Sequence, residues 1–108
     1  MGSNNYPERL LKALVDEYLA LPRLDKGARQ AGVRDKDVVV GAGIASWSEM
    51  STPEWARLYR NQIRPALLEL YRDGLIDFNR LGTTGIWLSR ISPTKAGIRH
   101  IRLMRHPR

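Results

Sequence analysis

Apolar residues recur at helical spacing over the first twenty positions of the chain. Pro7 and Glu8 suit a first helical turn, because proline lacks an N–H that this turn leaves unbonded and a carboxylate complements the helix dipole. The apolar positions that follow are Leu10, Leu11, Leu14, Val15, Tyr18 and Leu19. Since Pro22 cannot continue this pattern, the spacing predicts a first helix that ends before it.

The segment 23–50 carries weaker signals. Residues 24–33 are typical of a short helix that ends near Gly32. Three valines at 38–40 precede the sequence Gly-Ala-Gly at 41–43. These valines fit either a short buried strand or the start of another helix, and the glycines weaken both interpretations.

Between Thr52 and Asp73 the apolar residues again follow one helical face. That face contains Trp55, Tyr59, Ile63, Ala66, Leu67 and Leu70. Pro65 interrupts the pattern, because a proline in mid-helix removes a hydrogen bond and clashes with the preceding turn, at a cost of about 3 kcal/mol. We therefore expect two helices, one over 53–59 and one from Gln62, with a tight turn at 60–61.

Beyond Gly74, which is typical of a helix C-terminus, the pattern changes to that of a β-hairpin. Residues 75–78 and 86–91 predict two strands, and the glycines of 81–85 predict the loop between them. The sequence Ser-Pro-Thr at 92–94 then caps a last helix that carries Ile98, Ile101 and Leu103. The chain is thus expected to form one α+β domain over 1–108, with about five helices and a sheet of two or three strands. Residues 1–6 are expected to be a flexible N-terminus and 104–108 a basic tail.

Composition bounds the class of protein. Hydrophobic residues make up 43% of the 108 residues, enough for a core. The longest apolar run, 38–45, is 8 residues long, whereas a membrane span needs ~20. There is no cysteine and no basic segment followed by an apolar one at the N-terminus. We therefore expect a cytoplasmic protein with no membrane contact, no disulfide and no thiolate metal site.

The positive charge lies almost entirely in the second half of the chain. The formal net charge is +7, with a net of −1 over residues 1–56 and +8 over 57–108. Ten of the 11 cations in the second half are arginines. Because guanidinium binds phosphate through two parallel hydrogen bonds, this bias favours a polyanionic partner over a merely soluble surface.

Two stretches of the sequence resemble known motifs. Residues 59–76 read Y-R-N-Q-I-R-P-A-L-L-E-L-Y-R-D-G-L-I, close to the GntR-type pattern S-R-x-x-V-R-x-A-L-x-x-L-x-x-x-G-L-I, with departures at Tyr59 and Pro65. Residues 91–97, I-S-P-T-K-A-G, are similar to the step that follows the wing in MarR- and PadR-type proteins. Residues 52–98 thus resemble the winged helix-turn-helix transcriptional regulators. The resemblance implies an α+β winged-helix fold with a small antiparallel β-hairpin wing, and a DNA-binding regulator, usually a homodimer, whose second helix enters the major groove.

The candidate DNA-binding residues follow from helical spacing. Arg57, Arg60, Asn61 and Arg64 stand at i, i+3, i+4 and i+7, and they form one stripe beside the apolar face. Arginine suits phosphate and guanine, and asparagine suits adenine. Gln62 lies beside them near the start of the expected second helix, where base contacts tend to occur in this architecture.

Further candidates lie around the expected hairpin and in the last helix. Arg80 and Arg90 would flank the wing, and Thr83 and Thr84 would lie at its tip, although ordinary turn chemistry explains the threonines equally well. A second basic run either touches phosphate or stays solvated: Arg99, Arg102, Arg105 and Arg108.

Two other motifs are interpreted as core packing. Residues 37–45 look like a strand leading into a dinucleotide-binding G-x-G, but Ser46 replaces the third glycine and Arg64 stands where an acidic ribose ligand is expected. Residues 24–43 have the spacing of a rival helix-turn-helix, but the helix that would read DNA begins with alternating charges and then turns apolar. The three tryptophans are also expected to pack in the core or in a dimer: Trp47, Trp55 and Trp87.

The sequence therefore predicts a non-enzymatic protein. His100 and His106 have no acidic residue nearby with which to form a triad or a metal site, and no cofactor is expected. The expected partners are double-stranded DNA in the nucleoid and a second copy of the chain, held through the first helix or through 38–50. Two alternatives remain: a basic RNA-binding or ribosome-associated protein, and a winged helix that binds only protein.

Overall fold

A computed structural model describes residues 5–21, 27, 31–80 and 90–105. The helices are α1 (Tyr6–Ala20), α2 (Asp35–Gly41), α3 (Pro53–Leu58), α4 (Arg64–Arg72) and α5 (Lys95–Arg105). The strands are β1 (Val33–Arg34), β2 (Ile76–Arg80) and β3 (Arg90–Pro93). The chain therefore forms a mixed α+β fold, and none of the helices in the described part is long and apolar enough to cross a membrane.

Helix α1 closely follows its prediction. It begins at Tyr6, the last residue of the expected flexible N-terminus, and Pro7 lies in its first turn. Four of the predicted apolar residues and Ala13 form its buried face: Leu10, Leu11, Ala13, Leu14 and Val15. Leu19 is an exception, because at the far end of the helix its side chain is exposed to solvent. The N-terminal helix is thus held by one continuous apolar face.

The expected break at residues 60–61 does not occur. Between α3 and α4 the chain stays helical through a π-helical segment, Tyr59–Ile63, in which the Arg64 N–H donates to the Tyr59 carbonyl five residues back. Pro65 does lie in the first turn of α4, as predicted. A π segment one turn before a proline gives the ring room where an α-helical carbonyl would clash. Residues 53–72, here called the long helix, are therefore continuous, and the prediction of two separate helices is wrong.

The three valines at 38–40 belong to a helix rather than to a strand. Helix α2 buries Val38 and Val39 completely, and the backbone N–H of Ala42 continues its hydrogen bonding. This confirms the prediction that the segment packs in the core. It also removes the strand that the dinucleotide-binding interpretation required. Residues 42–52, here called the connector, lead from α2 to the long helix and contain one 3₁₀ turn, Glu49–Ser51.

Within the described residues the sheet has three antiparallel strands in the order β1-β3-β2. Val33 pairs with Ile91 in one ladder, and Ile76 pairs with Pro93 in the other. The predictions that Val33 lies in a helix and Pro93 in a cap are wrong, because both residues belong to strands. The predicted loop at 81–85 and the predicted strand residues 86–89 lie outside the described residues, as does most of the helix expected over 24–33.

The core lies between α1, the long helix and the inner face of the sheet. Its largest fully buried side chains come from these elements and from α5: Leu10, Leu11, Leu14, Tyr59, Ile63, Leu67, Ile76, Ile91 and Ile101. Trp55 is buried with them, as predicted for a core tryptophan. Since the inner face of the long helix is fixed in this core, its other face is left to the solvent.

Helix α5 begins against the turn that follows the long helix. Gly74 adopts φ 75°, and the Leu75 N–H donates to the Leu70 carbonyl, which closes the helix as a glycine C-cap does. The Thr94 N–H then donates to the Leu75 carbonyl, and the Thr94 hydroxyl caps α5 at the Gly97 N–H, 3.0 Å away. A Cβ on Gly97 would lie 2.1 Å from the Leu75 oxygen. Only glycine fits at this crossing.

We expect Gly97→Ala to destabilise the fold by about 3 kcal/mol. The new Cβ would clash with the Leu75 carbonyl oxygen, and hydrogen bonds with Thr94 hold both that carbonyl and the Gly97 backbone in place. Urea unfolding followed by circular dichroism measures the loss. Gly41→Ala is the matched control, since its new Cβ would meet nothing closer than 3.8 Å, and we expect no loss of stability there. Equal stability of the Gly97→Ala variant and the wild type would contradict the close packing of α5 on this turn.

Candidate nucleic-acid interface

Three of the predicted arginines lie on the solvent face of the long helix. Arg57, Arg60 and Arg64, here called the arginine stripe, are all exposed, whereas Trp55, Tyr59 and Ile63 on the opposite face are buried. Within the described residues none of the three guanidinium groups makes a hydrogen bond or an ion pair. Over about 10 Å of helix the surface thus presents three unneutralised cations.

The two predicted amide side chains lie to one side of the stripe. Asn61 and Gln62 are exposed and line a shallow groove against Tyr6 and Pro7 at the start of α1. Arg64 instead lines a groove against β2. The predicted site residues of the long helix are therefore all accessible, but the amides and Arg64 flank different grooves.

A buried hydrogen bond holds the long helix beside α2. The Tyr59 hydroxyl donates to Oδ2 of Asp35, the first residue of α2, whose side chain is 1% exposed. Burial raises the pKa of Asp35 from the usual 3.8 to about 6, although the Tyr59 hydrogen bond and the neighbouring Lys36 oppose the rise. Among the described residues Oδ1 of Asp35 has no hydrogen-bond partner. The middle of the stripe is thus positioned by a carboxylate that the core tolerates poorly when charged.

Three further arginines occupy paired register positions in the sheet and are here called the arginine row. Arg34 in β1 pairs with Arg90 in β3, and Arg90 also pairs with Arg80 in β2. Arg90 and Arg80 were predicted as wing residues, whereas Arg34 was not, because nothing in the local sequence shows which strand β1 will join.

Arg34 is partly neutralised by its neighbours. Its Nε and Nη2 atoms donate to the two carboxylate oxygens of Asp37, at 3.1 and 3.2 Å. Its guanidinium also lies 5.9 Å from the ring centre of Trp47 in the connector. Trp47 is 50% exposed, so it does not pack in the core of one chain, and the predicted alternative of a dimer contact stays open. Arg34 is therefore paired with an acidic and an aromatic neighbour.

The connector has its own hydrogen bonds. The Ser46 N–H donates to the Glu49 carboxylate at 2.9 Å, and the Glu49 N–H donates back to the Ser46 hydroxyl at 3.3 Å. Hydrogen bonds from the Ser46 backbone N–H and from the Ser46 side chain to the carboxylate lower the pKa of Glu49. The reciprocal bonds between Ser46 and Glu49 form a capping box before the long helix.

The structure describes only some of the remaining predicted residues. Thr83 and Thr84 lie outside the described residues, as do Trp87, His106 and Arg108. On α5, Arg99, His100 and Arg102 are exposed, and Ile98 and Ile101 face the core. The hydrogen bond between Asp35 and Tyr59 thus links the start of α2 to the long helix that carries the stripe, whereas Arg99 and Arg102 lie on α5.

We expect the stability of the wild type to fall relative to Asp35→Asn as the pH rises. The raised pKa means that the folded state holds the Asp35 proton more tightly than the unfolded state. The stabilisation that this proton gives is fully present below pH 3.8 and is lost as the pH rises through 6. Between pH 4 and pH 7.5 the free energy of unfolding of the wild type should fall by about 2 kcal/mol relative to the variant. Urea unfolding of both proteins measures the difference. A constant difference across this range would contradict a buried, titrating Asp35.

No protein-family profile matches the chain, and no curated protein or solved structure shows significant similarity to it.

Proposed function

We propose that this chain is a sequence-specific double-stranded DNA-binding domain of the winged-helix type, which acts as a homodimer in transcriptional regulation at the nucleoid. The observation that carries the proposal is the arginine stripe, because three exposed guanidinium groups on one helix face lack any described acidic partner. An α-helix with side chains is about 10–12 Å wide, and the DNA major groove is about 12 Å wide. The long helix is therefore the element that would enter the groove.

The order of elements supports this fold assignment. The resemblance implies two helices, a β-hairpin and a closing helix, and the chain follows α2, the connector, the long helix, β2, β3 and α5. Because the long helix is continuous, the turn of the helix-turn-helix is the connector rather than residues 60–61. The wing that the resemblance implies would fall in residues 81–89, which lie outside the described residues.

The proposed interface divides into phosphate and base contacts. Arg57, Arg60 and Arg64 bind phosphates, with guanine within reach of the same guanidinium groups. Asn61 and Gln62, beside the stripe, read base edges. Arg80 and Arg90, which pair in the sheet, contact the DNA backbone at the base of the wing.

The homodimer part of the proposal needs an exposed apolar surface. Val38 and Val39 are buried in the core of one chain, so the 38–50 segment offers Trp47 rather than these valines. On α5, Leu103 is 68% exposed and Met104 is also exposed. These two residues make α5 the better candidate for a contact between two copies.

We expect duplex DNA to bind with an affinity that falls steeply with salt, because each bound phosphate releases condensed counterions. Replacing both Arg60 and Arg64 with alanine should reduce the slope of log K against log salt by about two. Fluorescence anisotropy with random duplex DNA across a salt series measures both slopes, and matched duplex and single-stranded RNA tests the RNA-binding alternative.

The matched control is Lys12→Ala/Arg72→Ala, which removes the same charge from exposed positions outside the stripe. Its slope should stay within about half a unit of the wild-type slope. The proposal is contradicted if the wild type does not bind duplex DNA, or if both double variants reduce the binding equally. Tighter binding to RNA than to duplex DNA would favour the ribosome-associated alternative.

A further inference from the structure

The solvent face of α5 combines exposed apolar side chains with positive charge. The helix contains four cations and no carboxylate. Because Ile101 is buried in the core, the residues at helical spacing on the opposite side face the solvent: Ala96, Arg99 and Leu103. Leu103 is 68% exposed, the largest exposure of any bulky apolar side chain among the described residues, and Met104 next to it is exposed as well. Such a face is typical of a contact with another protein surface.

The cations of this face have no acidic partner in the described part of the chain. Lys95, Arg99 and Arg102 are exposed, and none of them makes an ion pair or a side-chain hydrogen bond with a described residue. Arg99 lies one helical turn before Leu103, so charge and apolar surface are neighbours on the helix. A partner that fits this face must therefore place carboxylates around an apolar centre.

A groove with these properties lies where the connector meets the long helix, and we call it the acidic groove. Its volume is about 340 Å³, and its apolar walls come from both elements: Ile44, Ala45, Trp55 and Leu58. Glu49 and Glu54 also line it, and no cation does among the described residues. The grooves that contain Arg64 and Lys12 differ, since each combines a cation with a carboxylate. The acidic groove thus has the charge opposite to that of α5.

Both carboxylates of the acidic groove are accessible to an incoming cation. Glu54 is exposed and makes no hydrogen bond or ion pair with a described residue. Glu49 is also exposed, and its hydrogen bonds with Ser46 lower its pKa, so it is charged at neutral pH. Ile44 and Leu58 are half-buried, so part of the apolar wall meets water in a single chain. Covering this wall with an apolar side chain would remove it from water.

We propose that α5 of one copy docks in the acidic groove of a second copy, with Leu103 and Met104 against the apolar walls and Arg99 and Arg102 beside the carboxylates. A contact between two α5 helices would instead bring like charges together, which disfavours it. Because the two surfaces are unlike, the contact is head-to-tail, and a pair of copies keeps one free helix face and one free groove. The inference rests on the part of the proposed function in which two copies associate, and not on DNA binding.

Sedimentation equilibrium of the full chain over a range of concentrations tests the contact with two variants. Leu103→Glu places a carboxylate on the α5 face, and Glu54→Lys places a cation in the acidic groove. We expect each change to weaken the self-association seen for the wild type by at least about tenfold, because each replaces attraction with repulsion. Both side chains are exposed, so the core stays intact, and circular dichroism checks the fold. Added salt should also weaken the wild-type association, since it screens exposed charges.

A mixture of the two variants tests whether the contact joins unlike surfaces. The Glu54→Lys chain keeps its α5 face and the Leu103→Glu chain keeps its acidic groove, so the mixture should form a 1:1 dimer although neither variant associates alone. ¹H–¹⁵N chemical shifts locate the contact. With the Leu103→Glu chain labelled, the shifts should fall within 44–58, and with the Glu54→Lys chain labelled they should fall within 95–104.

Two matched controls leave both surfaces unchanged. Leu19→Glu makes the same change at another exposed leucine, at the end of α1. Glu69→Lys reverses the charge of another exposed carboxylate on the long helix, outside the acidic groove. We expect both control variants to associate as the wild type does.

The outcomes separate this inference from the proposed function. Association of the mixture, with shifts at both surfaces, supports the docking whether or not the wild type binds DNA. If Glu54→Lys associates as the wild type does while Leu103→Glu stays a monomer, α5 makes a symmetric contact, and the inference is overturned while the homodimer stands. A wild type that stays a monomer at every concentration, or a mixture that does not associate, also overturns it. The salt dependence of DNA binding, measured on the same samples, decides the DNA-binding part separately.

Discussion

The hydrogen bond between Tyr59 and Asp35 joins the elements on which the candidate interface depends. Tyr59 lies at the start of the π segment, between the two halves of the long helix, and Asp35 begins α2 directly after β1. A buried carboxylate costs free energy unless hydrogen bonds satisfy it. Arrangements of the two helices that break this hydrogen bond are therefore disfavoured. The contact thus fixes the long helix, which carries the arginine stripe, against the start of α2 directly after β1.

The π segment determines how the surface of the long helix is divided. Its wider turn admits Pro65 without a break, so residues on both sides of the proline belong to one rigid element. The same segment places Asn61 and Gln62 towards the start of α1, and Arg64 towards β2. The long helix thus has a separate groove on each flank, and Arg64 belongs both to the stripe and to the groove against β2.

Local patterns in the sequence predict α1, the buried face of the long helix and the start of α5, because helical periodicity and capping residues act over a few positions. They also predict that the stripe is exposed. They fail where distant contacts decide the structure. Whether Pro65 ends a helix depends on the π segment before it, and Val33 becomes a strand residue only because Ile91 pairs with it. Arg34 likewise joins Arg80 and Arg90 only through the pairing of β1 with β3, which no local spacing indicates. Strand β1 has only two residues, so its alternation of buried and exposed side chains is too short to recognise in the sequence.

Arginine side-chain NMR tests most directly whether the arginine stripe contacts duplex DNA, as we propose. In a ¹⁵N-labelled sample titrated with a short duplex, the Nε–Hε signals of Arg57, Arg60 and Arg64 should shift together and return towards their original positions as salt is added, while the Arg72 signal stays in place. Shifts confined to the arginines of α5, or an unchanged spectrum at low salt, would contradict the claim and leave the stripe as a solvated helix face.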